Sequence, residues 1–89
     1  MNNKQLLGAL ALDLKRVAIG YYRGSTIMSE RFFEEALKRR NEIDSTNLKP
    51  YLVKFLNDIE NLNKEEKKAA ADNALLYSTI FQNASKVSA

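Results

Sequence analysis

The chain has 89 residues, is 45% hydrophobic and 28% charged, and carries a formal net charge of +3. These proportions are typical of a folded domain and exclude a collagen-like or low-complexity chain. The chain has no Cys and no His, which excludes disulfides, thiolate metal sites and the commonest general base. We therefore expect one cytoplasmic domain spanning residues 1–89, non-enzymatic and without a metal or cofactor.

The first predicted helix covers about residues 4–22. Its apolar residues recur at alternating spacings of three and four, which places them on one face: Leu7, Leu10, Leu14, Val17 and Tyr21. The apolar run 6–12 (LLGALAL) ends at Asp13. It is too short for a membrane span or a signal peptide, so we expect no membrane association.

The second predicted helix covers about 26–42, with glutamates early and Lys38, Arg39 and Arg40 late. That order complements the helix dipole. Residues 18–24 (AIGYYRG) precede it. Gly24 suits a left-handed residue that ends the first helix, and Ser25 or Thr26 suits the cap of the second.

Two further helices are predicted over about 47–61 and 64–85. Pro50 falls in the first turn of the third, where its missing N–H does little harm. Asn63 followed by Glu66 resembles a capping box at the start of the fourth.

No stretch alternates with the period of two that indicates a strand, and every predicted helix has one apolar stripe. Short connections make sequential helices antiparallel, so the sequence predicts an all-α, antiparallel up-down four-helix bundle. One alternative stays open, because the first stripe continues in phase through Gly24 to Met28 and Phe32. The chain would then form a long bent helix over 4–42 plus a helical hairpin over 47–85, assembled as a dimer.

Some apolar residues fall outside the core stripe of the first helix. Leu12 and Ile19 lie one heptad apart on its back, beside Gly8 and Ala9. These four residues are our candidate oligomer interface, with the glycine and alanine allowing close approach. The alternative is two isolated surface aliphatic residues, which are common. On the fourth helix, Leu75 and Ala71 are similarly expected on the outer face.

All five arginines lie in the first half of the chain, and arginine and tyrosine can contact phosphate or stack on unpaired bases. Arg40 falls within the apolar arc of its helix, where it either faces a cleft or lays its stem on apolar neighbours with its head in water. The candidate anion or partner contacts are Arg16, Tyr22, Arg23, Arg39 and Arg40.

The segment Gly20 to Thr26 (GYYRGST) is not a phosphate-binding loop, because no lysine precedes Ser25 and a helix rather than a strand comes before it. We therefore expect a protein–protein interaction or adaptor module, homodimeric and with a second, unidentified protein partner. The alternative is an accessory protein that binds nucleic acid through the arginine-rich first half.

Overall fold

A computed structural model describes residues 1–87 of the chain. It contains four α-helices and no strand within that range: α1 (Asn3–Tyr22), α2 (Thr26–Glu42), α3 (Pro50–Asp58) and α4 (Lys67–Val87). Two 3-10 segments, Ser45–Asn47 and Ile59–Lys64, lie on either side of α3. The described residues measure 36 × 21 × 19 Å. The prediction of an all-α helical bundle is confirmed.

Helix α1 is the centre of the bundle, because it packs along both α2 and α4. The Ser78 hydroxyl donates to the Ala11 carbonyl at 2.7 Å, and the Ser29 hydroxyl donates to the Val17 carbonyl at 3.2 Å. These bonds join buried faces of neighbouring helices. Among the largest fully buried side chains are three from α1, one from α4 and two from the 3-10 segment after α3: Leu10, Leu14, Val17, Phe81, Ile59 and Leu62.

The chain reverses direction between α1 and α2. Gly24 has φ of +72°, the left-handed region that favours glycine, and the Ser25 amide donates to the Gly20 carbonyl at 2.7 Å. The Ser25 hydroxyl then accepts from the Met28 amide at 3.2 Å and caps α2. Because α1 and α2 lie side by side, the alternative of one long bent helix over 4–42 is wrong.

Helices α1 and α2 approach most closely where Gly20 meets Ser29. A Cβ atom on Gly20 would lie 2.8 Å from the Ser29 backbone nitrogen. Both residues are buried, and no larger residue than glycine fits this crossing without movement of the backbone. Gly20 is therefore part of α1 and a packing residue, and Gly24 makes the turn.

The boundaries around α3 differ from the prediction of 47–61. Asp44 accepts a hydrogen bond from the Thr46 amide at 3.0 Å and starts a separate 3-10 turn. Lys49 is extended at ψ of 143°, as expected for a residue that precedes proline, so α3 cannot begin before Pro50. At its other end α3 tightens into a 3-10 segment after Asp58.

The fourth helix begins at Lys67 rather than at residue 64. Asn63 lies inside the 3-10 segment, so its predicted role as a cap is wrong. The chain then passes through Glu65 in an extended conformation, and the Ala70 amide donates to the Glu66 carbonyl at 2.8 Å as α4 starts. The Asn73 side chain donates to the Glu65 carboxylate at 2.6 Å, which ties this entry segment to the helix.

Candidate interaction surface

One strip of α1 faces away from the bundle. Since α2 and α4 cover its two flanks, the residues between those flanks follow the helical spacing of three and four along the outside. Three of them are polar and exposed, Leu12 is 47% exposed, and the other two are half-buried. We call these residues the α1 outer strip: Gln5, Ala9, Leu12, Arg16, Ile19 and Arg23.

Three of the four predicted interface residues, Ala9, Leu12 and Ile19, lie on the α1 outer strip. Gly8 lies at its edge, against α4, since a Cβ atom there would be 3.7 Å from the Ser85 hydroxyl oxygen. Gly8 thus contributes to the contact between α1 and α4, and its part in an oligomer interface stays a prediction.

Helix α4 adds a further apolar side chain beside the strip. Ser78 is paired with Ala11, and the Tyr22 hydroxyl donates to the Asp72 carboxylate at 2.7 Å. The antiparallel alignment between these two contacts places Leu75 alongside the middle of α1, and Leu75 is 41% exposed. Ala71, which we expected on the same outer face, is instead buried at 1% exposure, because it packs at the contact with α1.

A partly buried ion pair joins α1 and α2 at the edge of the strip. Asp13 is only 5% exposed, and the Arg39 guanidinium donates from Nε to its carboxylate at 3.3 Å. Burial raises the pKa of Asp13 above its ordinary value of 3.8, and the attraction of Arg39 opposes this rise. Arg39 is therefore engaged by a partner within the protein, although its side chain is still 34% exposed. Sequence reasoning did not single out Asp13.

The raised pKa of Asp13 predicts an unusual dependence of stability on pH. Asp13 binds a proton more tightly in the folded protein than in the unfolded chain. The protonated Asp13 therefore adds to the free energy of unfolding below the ordinary pKa, and this contribution is lost as pH rises through the folded pKa. Asp13→Asn keeps the shape of the side chain and an oxygen that accepts a hydrogen bond from Arg39, but it removes the group that titrates. We expect the variant's stability, relative to the unmodified protein, to increase between about pH 3.5 and about pH 7 in urea titrations.

Glu34→Gln is the matched control, because Glu34 is an exposed acid outside the ion pairs among residues 1–87. Its stability relative to the unmodified protein should not show the Asp13→Asn increase. A stability difference for Asp13→Asn that stays constant or falls with rising pH would contradict this account of Asp13.

Arg40 is also engaged within the protein. Its guanidinium donates to the Glu60 carboxylate at 3.3 Å, and its side chain is 20% exposed. The pair links α2 to the 3-10 segment after α3. The expected head group in water is not what the structure shows, because the guanidinium is paired with Glu60. The part of Arg40 in partner binding stays a prediction.

Two accessible arginines, Arg16 and Arg31, lie against Phe32 on α2. The Arg16 guanidinium lies 5.1 Å from the centre of the Phe32 ring, and that of Arg31 lies 5.8 Å from it, both within cation–π range. Neither forms an ion pair with a carboxylate among residues 1–87. Arg23 is exposed at the end of α1. Arg31 was not a predicted contact, and its position next to Phe32 in sequence was the available signal.

Tyr22 has a partner of its own. It is 55% exposed, and its hydrogen bond to the Asp72 carboxylate raises the pKa of its phenol, because a phenolate would face that negative charge. Tyr22 thus connects the end of α1 to the first turns of α4. The structure separates the five predicted contacts: Arg16 and Arg23 are accessible on the strip, whereas Arg39, Arg40 and Tyr22 have intramolecular partners.

The described part of the chain holds no group of three or more acidic side chains placed to bind a metal ion. None of its helices is long and apolar enough to cross a membrane. Comparison with protein-family models, curated proteins and solved structures finds no match. The class that the structure defines is that of the all-α helical bundles.

Proposed function

We propose that this chain is a non-enzymatic protein-interaction module that forms a homodimer through the α1 outer strip. The observation that carries the proposal is the exposure of Leu12, at 47%, on the helix that forms the centre of the bundle. Ile19 lies two turns further along the same strip, and Leu75 flanks it from α4. Apolar side chains that line up along one helix face are typical of helix–helix contacts between proteins.

A second copy suits this strip because the apolar residues are self-complementary about a two-fold axis. When two α1 helices cross in opposite directions, Leu12 of one copy meets Ile19 of the other, and the same contact occurs twice. Arg16 lies between these residues in sequence, where two like charges would approach each other. Its guanidinium is held over the Phe32 ring on α2, which displaces the charge from the line between Leu12 and Ile19.

Chain length supports self-association as well. A domain of 89 residues buries a smaller share of its surface than larger domains do, so apolar contacts with a second copy add usefully to its core. The absence of His and Cys supports a binding role over a catalytic one and is in keeping with the cytoplasm. Binding of a further protein by the dimer belongs to the same proposal.

The mass of the unmodified protein in solution tests the proposal. Light scattering after size exclusion should give twice the 10.1 kDa of one chain at protein concentrations of tens of micromolar, and the mass should fall towards that of one chain on dilution. A mass of one chain at every concentration would reject the homodimer.

The cluster of Arg16, Arg31 and Phe32 supports a second candidate function, which is binding of single-stranded nucleic acid. Guanidinium groups without a carboxylate partner can contact phosphates, and their planes can stack on unpaired bases. Arg39 and Arg40 are paired within the protein, so fewer arginines are left to contact nucleic acid than the sequence suggests.

A gel shift with a short single-stranded oligonucleotide at low and moderate salt tests this second candidate. Binding through phosphate contacts should weaken steeply with salt, and Arg16→Gln with Arg31→Gln should abolish the shift. The control pair Lys67→Gln with Lys68→Gln removes the same charge at the start of α4. No shift at low salt, or an equal loss with both pairs, would reject a specific role for this cluster.

A further inference from the structure

A groove of about 590 Å³ opens at the end of the bundle where α1 and α3 begin and α4 ends. None of the residues of the α1 outer strip lines it, so it is separate from the proposed dimer contact. Its volume lies in the range of small-molecule sites in proteins. Its apolar lining comes mainly from five side chains of α1, the connection after α2, α3 and α4: Leu7, Leu48, Leu52, Ala84 and Val87.

The polar groups of the groove divide into those with partners and those without. The Asn2 side chain accepts from the Gln5 amide at 2.8 Å and caps α1. The Asn3 side chain exchanges two hydrogen bonds with the backbone of Asp44, at 2.6 and 3.0 Å. These amides fix the walls of the groove. Both polar atoms of the Asn3 side chain are used, whereas the Asn2 side chain uses its oxygen.

Two lysines on the rim have no such partner. Lys4 and Lys49 are exposed, and within residues 1–87 neither forms an ion pair with a carboxylate. No acidic residue among residues 1–87 lines the groove. An ammonium group donates hydrogen bonds and accepts none, so the ligand group that complements this rim is an anion with several acceptor oxygens.

We propose that the groove binds a free medium-chain fatty carboxylate. The alkyl chain lies along the apolar lining, and the carboxylate contacts Lys4 and Lys49 at the rim. Both lysines stand in or beside the first turn of a helix, α1 and α3 respectively, where the helix dipole adds positive potential for the same head group. The arrangement joins an apolar lining to an unpaired basic rim, which is the complement of an amphipathic anion.

Calorimetric titration of the full chain with decanoate, below its micelle-forming concentration, tests the proposal. We expect saturable binding, with octanoate roughly tenfold weaker because two methylene groups are lost. Decanol and decyltrimethylammonium keep the chain but lack the negative charge, and both should bind more weakly than decanoate. Lys4→Gln with Lys49→Gln should weaken decanoate by about three- to tenfold.

Lys67→Gln with Lys68→Gln is the matched control, since it removes two exposed lysines at the opposite end of α4, about 25 Å away at 1.5 Å per residue. It should leave decanoate binding unchanged. Leu48→Ser tests the apolar lining and should also weaken decanoate, with circular dichroism confirming that the helices remain. The variant Leu12→Asp with Ile19→Asp, which changes the α1 outer strip and not the groove, should bind decanoate normally. Failure of the dimer proposal is therefore distinguishable from failure of this one.

Three results would overturn the proposal. The first is no binding of decanoate, and the second is an equal loss with the two lysine pairs, which would indicate unspecific charge attraction. The third is measured without ligand in the variant Leu12→Asp with Ile19→Asp, which removes the proposed dimer contact. Amide NMR shifts at Leu7, Leu48 and Leu52 that depend on protein concentration in this variant would show that a second copy occupies the groove.

Discussion

Replacing Gly20 with alanine should lower the free energy of unfolding by about 1–3 kcal/mol, the usual cost of overfilling a packed contact. Alanine in a helix interior normally stabilises relative to glycine by about 0.5–1 kcal/mol, so the expected sign is the reverse of the helix-propensity effect. The reason is the 2.8 Å approach that the new Cβ would make to the Ser29 backbone nitrogen. A backbone atom cannot rotate away as a side chain does, so α1 and α2 must separate.

Gly8→Ala is the matched control within the same helix. Its Cβ would lie 3.7 Å from the Ser85 hydroxyl oxygen, an ordinary van der Waals distance. We therefore expect Gly8→Ala to raise the free energy of unfolding by about 0.5–1 kcal/mol through helix propensity. Urea unfolding of both variants measures the contrast.

The new Cβ at residue 20 would meet two atoms of Ser29, its hydroxyl oxygen and its backbone nitrogen. A third variant separates these two causes of strain. Ser29→Ala in the Gly20→Ala background removes the serine hydroxyl but leaves the backbone nitrogen in place, so the double variant should stay destabilised. If Gly20→Ala proved as stable as the unmodified protein, the close crossing of α1 and α2 would be incorrect.

The sequence was sufficient to predict the features that depend on neighbouring residues. The apolar stripe of α1, the positive φ of Gly24 and the capping hydroxyl of Ser25 each follow from local geometry. The start of α3 is an exception, since we predicted it at about residue 47 and the structure places it at Pro50; the rule that the residue before proline avoids the helical region accounts for the difference. For the other three features helix periodicity and turn chemistry agree with the final fold.

Features that depend on which helix faces which could not be read from the sequence. The sequence gives no sign that Gly20 packs against Ser29, and only the fold shows this close crossing of α1 and α2. Asp13 falls on a helix flank that only α2 buries, and Arg39, which resembled a free basic residue, is its partner. Periodicity places a residue on a face, but the identity of the neighbour comes from tertiary packing.

Aspartate at both Leu12 and Ile19 should prevent dimer formation. In a two-fold contact each substitution occurs twice, and each places a charge where an apolar side chain would be buried without a partner. Burying a leucine or isoleucine contributes about 1.5–3 kcal/mol, so we expect the dissociation constant to rise by at least about a hundredfold. Leu12→Asp alone should give a smaller rise and disturbs the bundle least, because Leu12 is 47% exposed.

Ile27→Asp with Leu76→Asp is the matched control for this pair. Both residues are exposed apolar side chains, at 83% and 51%, and neither lies on the α1 outer strip. The control carries the same added charge and should remain dimeric. Circular dichroism of both double variants should show the helical content of the unmodified protein, so that a change in mass reports the contact and not the fold.

Sedimentation velocity tests the central claim most directly. It compares three proteins at the same concentration of tens of micromolar: the unmodified protein, the strip variant Leu12→Asp with Ile19→Asp, and the control Ile27→Asp with Leu76→Asp. We predict a dimer for the unmodified protein and the control, and a folded monomer for the strip variant. A folded strip variant that still sediments as a dimer, or an unmodified protein that sediments as a monomer, would contradict the claim that the α1 outer strip is the self-association surface.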